Sequence, residues 1–357
     1  MKKIIALALM ACLMLSMVAC GGNAGNAGTN GGNNGGAQEA EYKLGMGVVV
    51  SMESSKTELA QVDATVATVV LDKDGKIVAC RIDVAQNKMA VVGGAVDTAA
   101  TFKSKMELGD AYGMAGKVDN DGNGVMKEWY EQTKAFEAYV VGKTAAEVNS
   151  IETQFVNNHY IAKDQALLDA GCSMQITDFM AAVVKACNDD QAQSFKTAGE
   201  FKLGVAAKTA AADSKAASAD GDGLVAMYTD FAAAVVGADG KILAALTDAI
   251  QPKIAINTLG EIVDKTFKDT KRVLKSGYGM EGKVDNNADG VMKEWFEQAD
   301  AYAKYVVGKT GAEVKAMETQ LVNGHYISTD NALLSAGCTI QVTAINAVMG
   351  AACEYAR

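Results

Sequence analysis

Proline is almost missing from this chain of 357 residues: Pro252 is the only one. Turns must therefore be made by Gly, Asn and Asp, which tolerate or stabilise turn backbone. Histidine is nearly as scarce. His159 and His325 are the only two, one in each half of the chain. A single histidine per half cannot make a metal site alone. No nucleophile, base and orienting group stand close together in sequence, which leaves only a set assembled by folding. Positive charge is in deficit: the formal net charge is -10. That disfavours nucleic acid and anionic lipid as partners and is compatible with a calcium-containing exterior. Beyond the first twenty residues, no apolar run is long enough for a transmembrane helix. Gly142-Lys143-Thr144 lacks the earlier glycine of a phosphate loop, since Glu137 and its counterpart Ala303 stand there. It reads as a helix stop followed by a capping box.

What is present begins with a targeting segment. Lys2 and Lys3 precede an apolar stretch, Ile4 to Val18, that is short for a permanent span. Met17-Val18-Ala19-Cys20 then resembles a lipoprotein lipobox, with Met17 where leucine is usual. The rival Leu9-Met10-Ala11-Cys12 would leave an apolar tail on the mature chain, whereas Cys20 is followed at once by Gly21-Gly22-Asn23. Residues 1–19 are thus expected to be a signal peptide, with Cys20 the lipidated residue. The anchor would make the membrane a partner and hold the protein on its extracytoplasmic face. Residues 20–41 form a Gly/Asn-rich leash that cannot bury enough apolar area to order itself. Its Gly21 to Gly36 stretch, all Gly, Asn, Ala and Thr, reaches roughly 20–25 Å on average.

The rest is an internal duplication. Tyr112-Gly113-Met114 and the residues after it reappear from Tyr278-Gly279-Met280. The register runs without a gap to Thr177 and Thr343, at roughly two-thirds identity. Upstream, Asp74-Gly75-Lys76-Ile77 matches Asp239-Gly240-Lys241-Ile242. At about 150 residues per copy, this predicts two tandem domains, 42–187 and 201–357, joined by a polar connector, 188–200. Ala64 to Leu71 and Lys76 to Ala85 read as a hairpin around Asp72-Lys73-Asp74-Gly75. Met126 to Val141 has helical spacing and stops at Gly142. Thr144 to Glu147 and Thr310 to Glu313 are capping boxes. Ser173 to Thr177 alternates as a strand before an apolar helix, Asp178 to Cys187. The fold class is therefore α+β, each copy being a small antiparallel sheet packed with helices.

Two constellations stand out. Cys172 and Cys187 are fifteen apart, as are Cys338 and Cys353. A strand leg and a helix leg of roughly 15–18 Å each would return the second cysteine beside the first. A disulfide in each copy is one expectation, and two buried thiols per copy the other. The second constellation is a pair of acidic loops. Asp119, Asp121 and Asn123, with Gly124, fit the start of an EF-hand calcium loop, as do Asp285, Asn287 and Asp289, with Gly290. The closing glutamate is not in register, because Tyr130 and Phe296 occupy its place. Calcium binding and a polar turn capping the next helix both remain open, the turn being favoured.

Taken in order, these motifs resemble the FMN-binding domain family. That family has an Asp-Gly-Lys-Ile turn, an aromatic helix running into Gly-Lys, and a Ser-Gly-Ala-Thr turn before an Ala/Val-rich helix. Here they are matched by Asp74 to Ile77, Trp129 to Lys143, and Ala170-Gly171-Cys172-Ser173, with Ala336-Gly337-Cys338-Thr339 in the second copy. The chain also resembles clostridial-type tandem lipoproteins that share the Tyr-Gly-Met and Glu-Trp-Tyr-Glu-Gln stretches. The flavin resemblance implies a surface electron carrier with a redox partner. FMN would be esterified through the hydroxyl of Ser173 or Thr339, with Trp295 and Tyr278 covering its ring. Ala replaces Ser and Cys replaces Ala in the attachment motif. That supports the alternative of a non-catalytic binding or envelope-structural protein without cofactor.

Overall fold

The computed structural model describes residues 39–122, 124–287 and 290–357. Cys20 and the signal peptide lie outside them, as do Asn123 and Asp289. In the first copy, β1 (Ala40–Ser51), β2 (Leu59–Leu71) and β3 (Ile77–Ala90) make an antiparallel meander. The β2–β3 turn forms where expected. Asp72 accepts from the Asp74 and Lys76 amides at 2.9 Å each, and Gly75 takes φ +74°. There follow α1 (Lys105–Leu108), α2 (Trp129–Val140) and α3 (Ala145–Asn149). Next come the hairpin β4 (Thr153–Val156) and β5 (His159–Ala162), then α4 (Gln165–Asp169) and α5 (Thr177–Cys187). Gly142, at φ +84°, stops the chain after α2, and the Thr144–Glu147 capping box starts α3.

The connector is not a simple linker. Its β6 (Gln193–Thr197) pairs antiparallel with the start of β1 and completes a sheet ordered β3-β2-β1-β6. The second copy begins with β7 (Phe201–Ala210), β8 (Gly223–Val225) and β9 (Tyr228–Gly237). It continues through β10 (Ile242–Ile250), β11 (Lys253–Ile256), β12 (Ile262–Thr266) and α6 (Lys271–Leu274). It closes with α7 (Trp295–Tyr305), α8 (Gly311–Lys315), β13 (Thr319–Val322), β14 (His325–Ser328), α9 (Asn331–Ser335) and α10 (Thr343–Glu354). Its main sheet is β10-β9-β7. Where β3 runs unbroken, the second copy has a break between β10 and β11 at Gln251-Pro252. Proline offers no N–H to a ladder there.

Each sheet buries one face under its own helices. Cys80, Ile82 and Val84 of β3 pack with Trp129, Phe136 and Phe179, and Ala232 and Ala234 of β9 pack with Trp295, Tyr302 and Val348. Glycines let the last helix of each copy lie directly on its sheet. A Cβ at Gly45 would stand 2.1 Å from the Ala186 carbonyl oxygen, and one at Gly204 1.8 Å from that of Ala352. The other faces of the two sheets meet in a single core. Leu44, Val62 and Val66 of the first copy pack there with Leu203, Phe231 and Ile254 of the second. The layers run helix, sheet, sheet, helix, and residues 38–357 form one compact unit. The copies also exchange ends. Asp189, just after α5, pairs with Arg272 of the second copy at 3.0 Å, and Arg357 reaches back to Glu137 of the first at 2.8 Å.

Candidate functional site: the turn before the last helix of each copy

The turn that would carry a flavin is built from four elements. Gly171, at φ +91°, ends α4, and the Cys172 amide donates to the Leu167 carbonyl at 3.1 Å. Lys127 lies over Gly171 and donates to the Ala170 carbonyl at 2.9 Å. Gln132 of α2 accepts from the Ser173 amide at 3.1 Å, while Asn120 of the acidic loop donates to the Ser173 carbonyl at 2.8 Å. The second copy repeats every contact. Gln298 accepts from the Thr339 amide at 2.8 Å, Asn286 donates to its carbonyl at 2.6 Å, and Lys293 donates to the Ala336 carbonyl at 3.1 Å. The Thr339 hydroxyl itself points to Gln298 Oε1 at 3.4 Å.

Ser173 is 3% exposed and Thr339 2%. A phosphoester at either hydroxyl has no outlet unless α2 or α7 moves off the turn. The proposed ring cover is committed elsewhere. Trp295 is buried, with the Lys271 ammonium 5.3 Å from its ring centre, and the Tyr278 hydroxyl donates to Gln251 at 2.8 Å. These residues do not fit an esterified FMN.

Ser173 to Ile176 form no strand; α5 starts at Thr177. The strand leg that would have returned Cys187 to Cys172 is therefore absent. All five described cysteines, including Cys172, Cys187, Cys338 and Cys353, are free thiols, which corrects the disulfide expectation. Cys353 instead lies against α8, where a Cβ on Gly311 would stand 2.6 Å from its own Cβ. Burial pushes the Cys172 and Cys338 thiols up to about 12, and those of Cys187 and Cys353 up to about 11. None is a ready thiolate nucleophile.

The described flanks of each acidic loop pair with each other. Val118 and Val125 bridge, and Asp119 turns its own carboxylate onto the Gly124 amide at 3.2 Å. Val284 and Val291 bridge in the second copy, where the Asp285 amide donates to the Gly290 carbonyl at 3.3 Å. Helix α2 starts at Trp129, where an EF-hand's exiting helix would stand, but Tyr130 puts no carboxylate at the closing position. The nearby carboxylates are also taken. Glu128 caps α2 and accepts from the Met114 and Ala115 amides at 3.1 and 3.0 Å, while Glu131 accepts from the Glu128 amide at 3.0 Å. The Ala115 amide is the main cause holding the Glu128 carboxyl below its ordinary value. Glu294 and Glu297 repeat this arrangement. Asn287 Oδ1 is buried and finds no partner among the described residues. Among those residues, no three His, Cys, Asp or Glu side chains gather as a metal site. His159 and His325 stand at the exposed ends of β5 and β14.

Sequence reading missed two buried polar features. Asp83 is fully buried in β3, accepts from the Val84 and Met106 amides at 2.7 and 3.1 Å, and has its carboxyl pushed up to about 6 by burial. Asp248 holds the Arg272 amide in the same way at 3.0 Å. The signal was an acid at matching places in two apolar strands. The other is Glu137, 2% exposed, whose partners Arg81 and Arg357 come from distant parts of the chain.

No protein family, curated protein or solved structure matches this chain.

Proposed function

We propose that this is a lipid-anchored extracytoplasmic protein with a non-catalytic role, as a binding or envelope-structural module and not a flavin electron carrier. The observation that carries this reading is the closed turn. The hydroxyls of Ser173 and Thr339 lie beneath α2 and α7, and their backbone groups are already paired within the protein. An electron carrier of this kind draws its chemistry from a cofactor held at that point. The membrane part of the reading rests on Met17 to Cys20 and the polar leash. None of the described helices is long and apolar enough to cross a membrane. The test is fractionation of the native host together with a visible spectrum. Wild-type protein should sediment with membranes and be colourless, and Cys20→Ser should leave the membrane fraction. Retention of Cys20→Ser protein after carbonate washing would refute the anchor, and a yellow protein would refute the cofactor-free role.

A further inference from the structure

Five ion pairs among the described residues join the first copy, with the tail that leaves it, to the second copy. All five have the same polarity. Asp189 pairs with Arg272 at 3.0 Å, Glu137 with Arg357 at 2.8 Å and Glu53 with Lys265 at 3.1 Å. Glu107 pairs with Lys208, and Asp190 with Lys275. The acid comes each time from the first side and the base from the second. The pairs at Glu53 and Asp190 lie at the surface, where such contacts contribute little. The others are covered. The side chains of Asp189 and Arg272 are 6% and 7% exposed, and Arg272 also donates to the Gln191 carbonyl at 2.9 Å. Glu137 and Glu107 are covered too, with side chains 3% and 12% exposed.

None of these covered charges is duplicated. The register that matches Lys105 with Lys271 sets Met106 and Glu107 against Arg272 and Val273. Matching Leu44 with Leu203 sets Val49 against Lys208. Matching Cys187 with Cys353 sets Asp189 against Tyr355 and Gln191 against Arg357, and Glu137 answers to Ala303. Two first copies packed in this geometry would leave Glu107 and Asp189 with no base. Two second copies would leave Lys208 and Arg272 with no acid. An unpaired charge in a covered place is costly, so these differences penalise like with like. The apolar faces, with Val66 on one and Phe231 on the other, carry no such discrimination.

We infer that the interface between the copies is a charge code: the first copy's face selects a second copy's face and rejects its own kind. Its ordinary partner is in the same chain. Between two molecules the code admits a first copy only with a second copy, as when two chains exchange them about the turn Ala198-Gly199-Glu200 between β6 and β7. The inference stands apart from the lipid anchor and from the cofactor-free role.

The test uses the full mature chain carrying Cys20→Ser. Glu107→Lys with Asp189→Arg makes both faces basic, and Lys208→Glu with Arg272→Asp makes both acidic. Either change should lower the folded-to-unfolded ratio in urea titrations by about a hundredfold or more. All four substitutions in one chain reverse the code and should recover most of that loss. The two variants unfolded, mixed and refolded together should give a 1:1 dimer by light scattering and native mass spectrometry, which neither gives alone. Should either variant fail to fold by itself, the mixture and the fourfold chain still decide. Unchanged stability in both variants, a fourfold chain as weak as they are, or a mixture without the 1:1 dimer would each overturn the inference.

Discussion

Asp83 shows how much one buried side chain commits. It lies in a strand whose neighbours are apolar, yet it fixes the start of α1 by accepting the Met106 amide. Burial pushes its carboxyl up to about 6, against an ordinary value of 3.8. The folded state therefore holds the proton more tightly than the unfolded chain. The stabilising contribution is complete below pH about 4 and is lost as pH rises through about 6. A difference of that size in proton affinity is worth roughly 3 kcal/mol. Urea titrations between pH 4 and 7 should show wild type losing stability with rising pH more steeply than Asp83→Asn. Parallel slopes would mean that Asp83 titrates normally. Glu137 poses the same problem with a different solution: burial pushes its carboxyl up, while Arg357 and Arg81 pull it back. Such a buried ion cluster contributes little net stability, although removing one partner and leaving the other charge buried is costly.

At the scale of elements, local signals were legible and distant ones were not. The Asp72–Gly75 turn, the Gly142 stop and the Thr144–Glu147 and Thr310–Glu313 boxes all depend on residues within a few positions of each other, and all formed. Strand β6 was hidden because Gln193 to Thr197 has no apolar alternation of its own. What makes it a strand is the edge of β1, about 150 residues earlier, and Phe195, which stacks on Tyr42 and meets Phe201 edge-on. Ser173 to Ile176 erred the other way. Its alternation is real, but Gln132 and Asn120 hold the backbone of its first residue in a turn, which leaves that group no strand partner. The disulfide geometry failed with it. Peptide mapping under non-reducing conditions should find Cys172, Cys187, Cys338 and Cys353 all as free thiols, alkylated slowly in the native state and quickly in urea. Recovery of a Cys172–Cys187 or Cys338–Cys353 cross-link from fresh protein would contradict the helix placement.

The whole molecule is where the duplication misleads most. Two copies of domain length suggest two independent bodies on a string, yet the inner faces of both sheets close one core, with Val66 and Phe231 on its two sides. A copy expressed alone would expose that face to water, at about 25 cal/mol for each Å² of apolar surface. Intact protein should unfold in one cooperative transition, and residues 38–200 or 201–357 alone should be molten or aggregated. Two well-separated transitions, or a half that gives sharp native spectra, would restore the independent-domain picture. The flavin question belongs to the same scale, because the Thr339 turn is shut by residues drawn from α7, the acidic loop and α9 together. Intact mass of the protein purified from its native host, with flavin transferase active, addresses it most directly. The expected result is the lipidated polypeptide mass with nothing added at Ser173 or Thr339. An added FMN mass that disappears in Thr339→Ala would show that the turn opens to a cofactor, and would contradict the cofactor-free role.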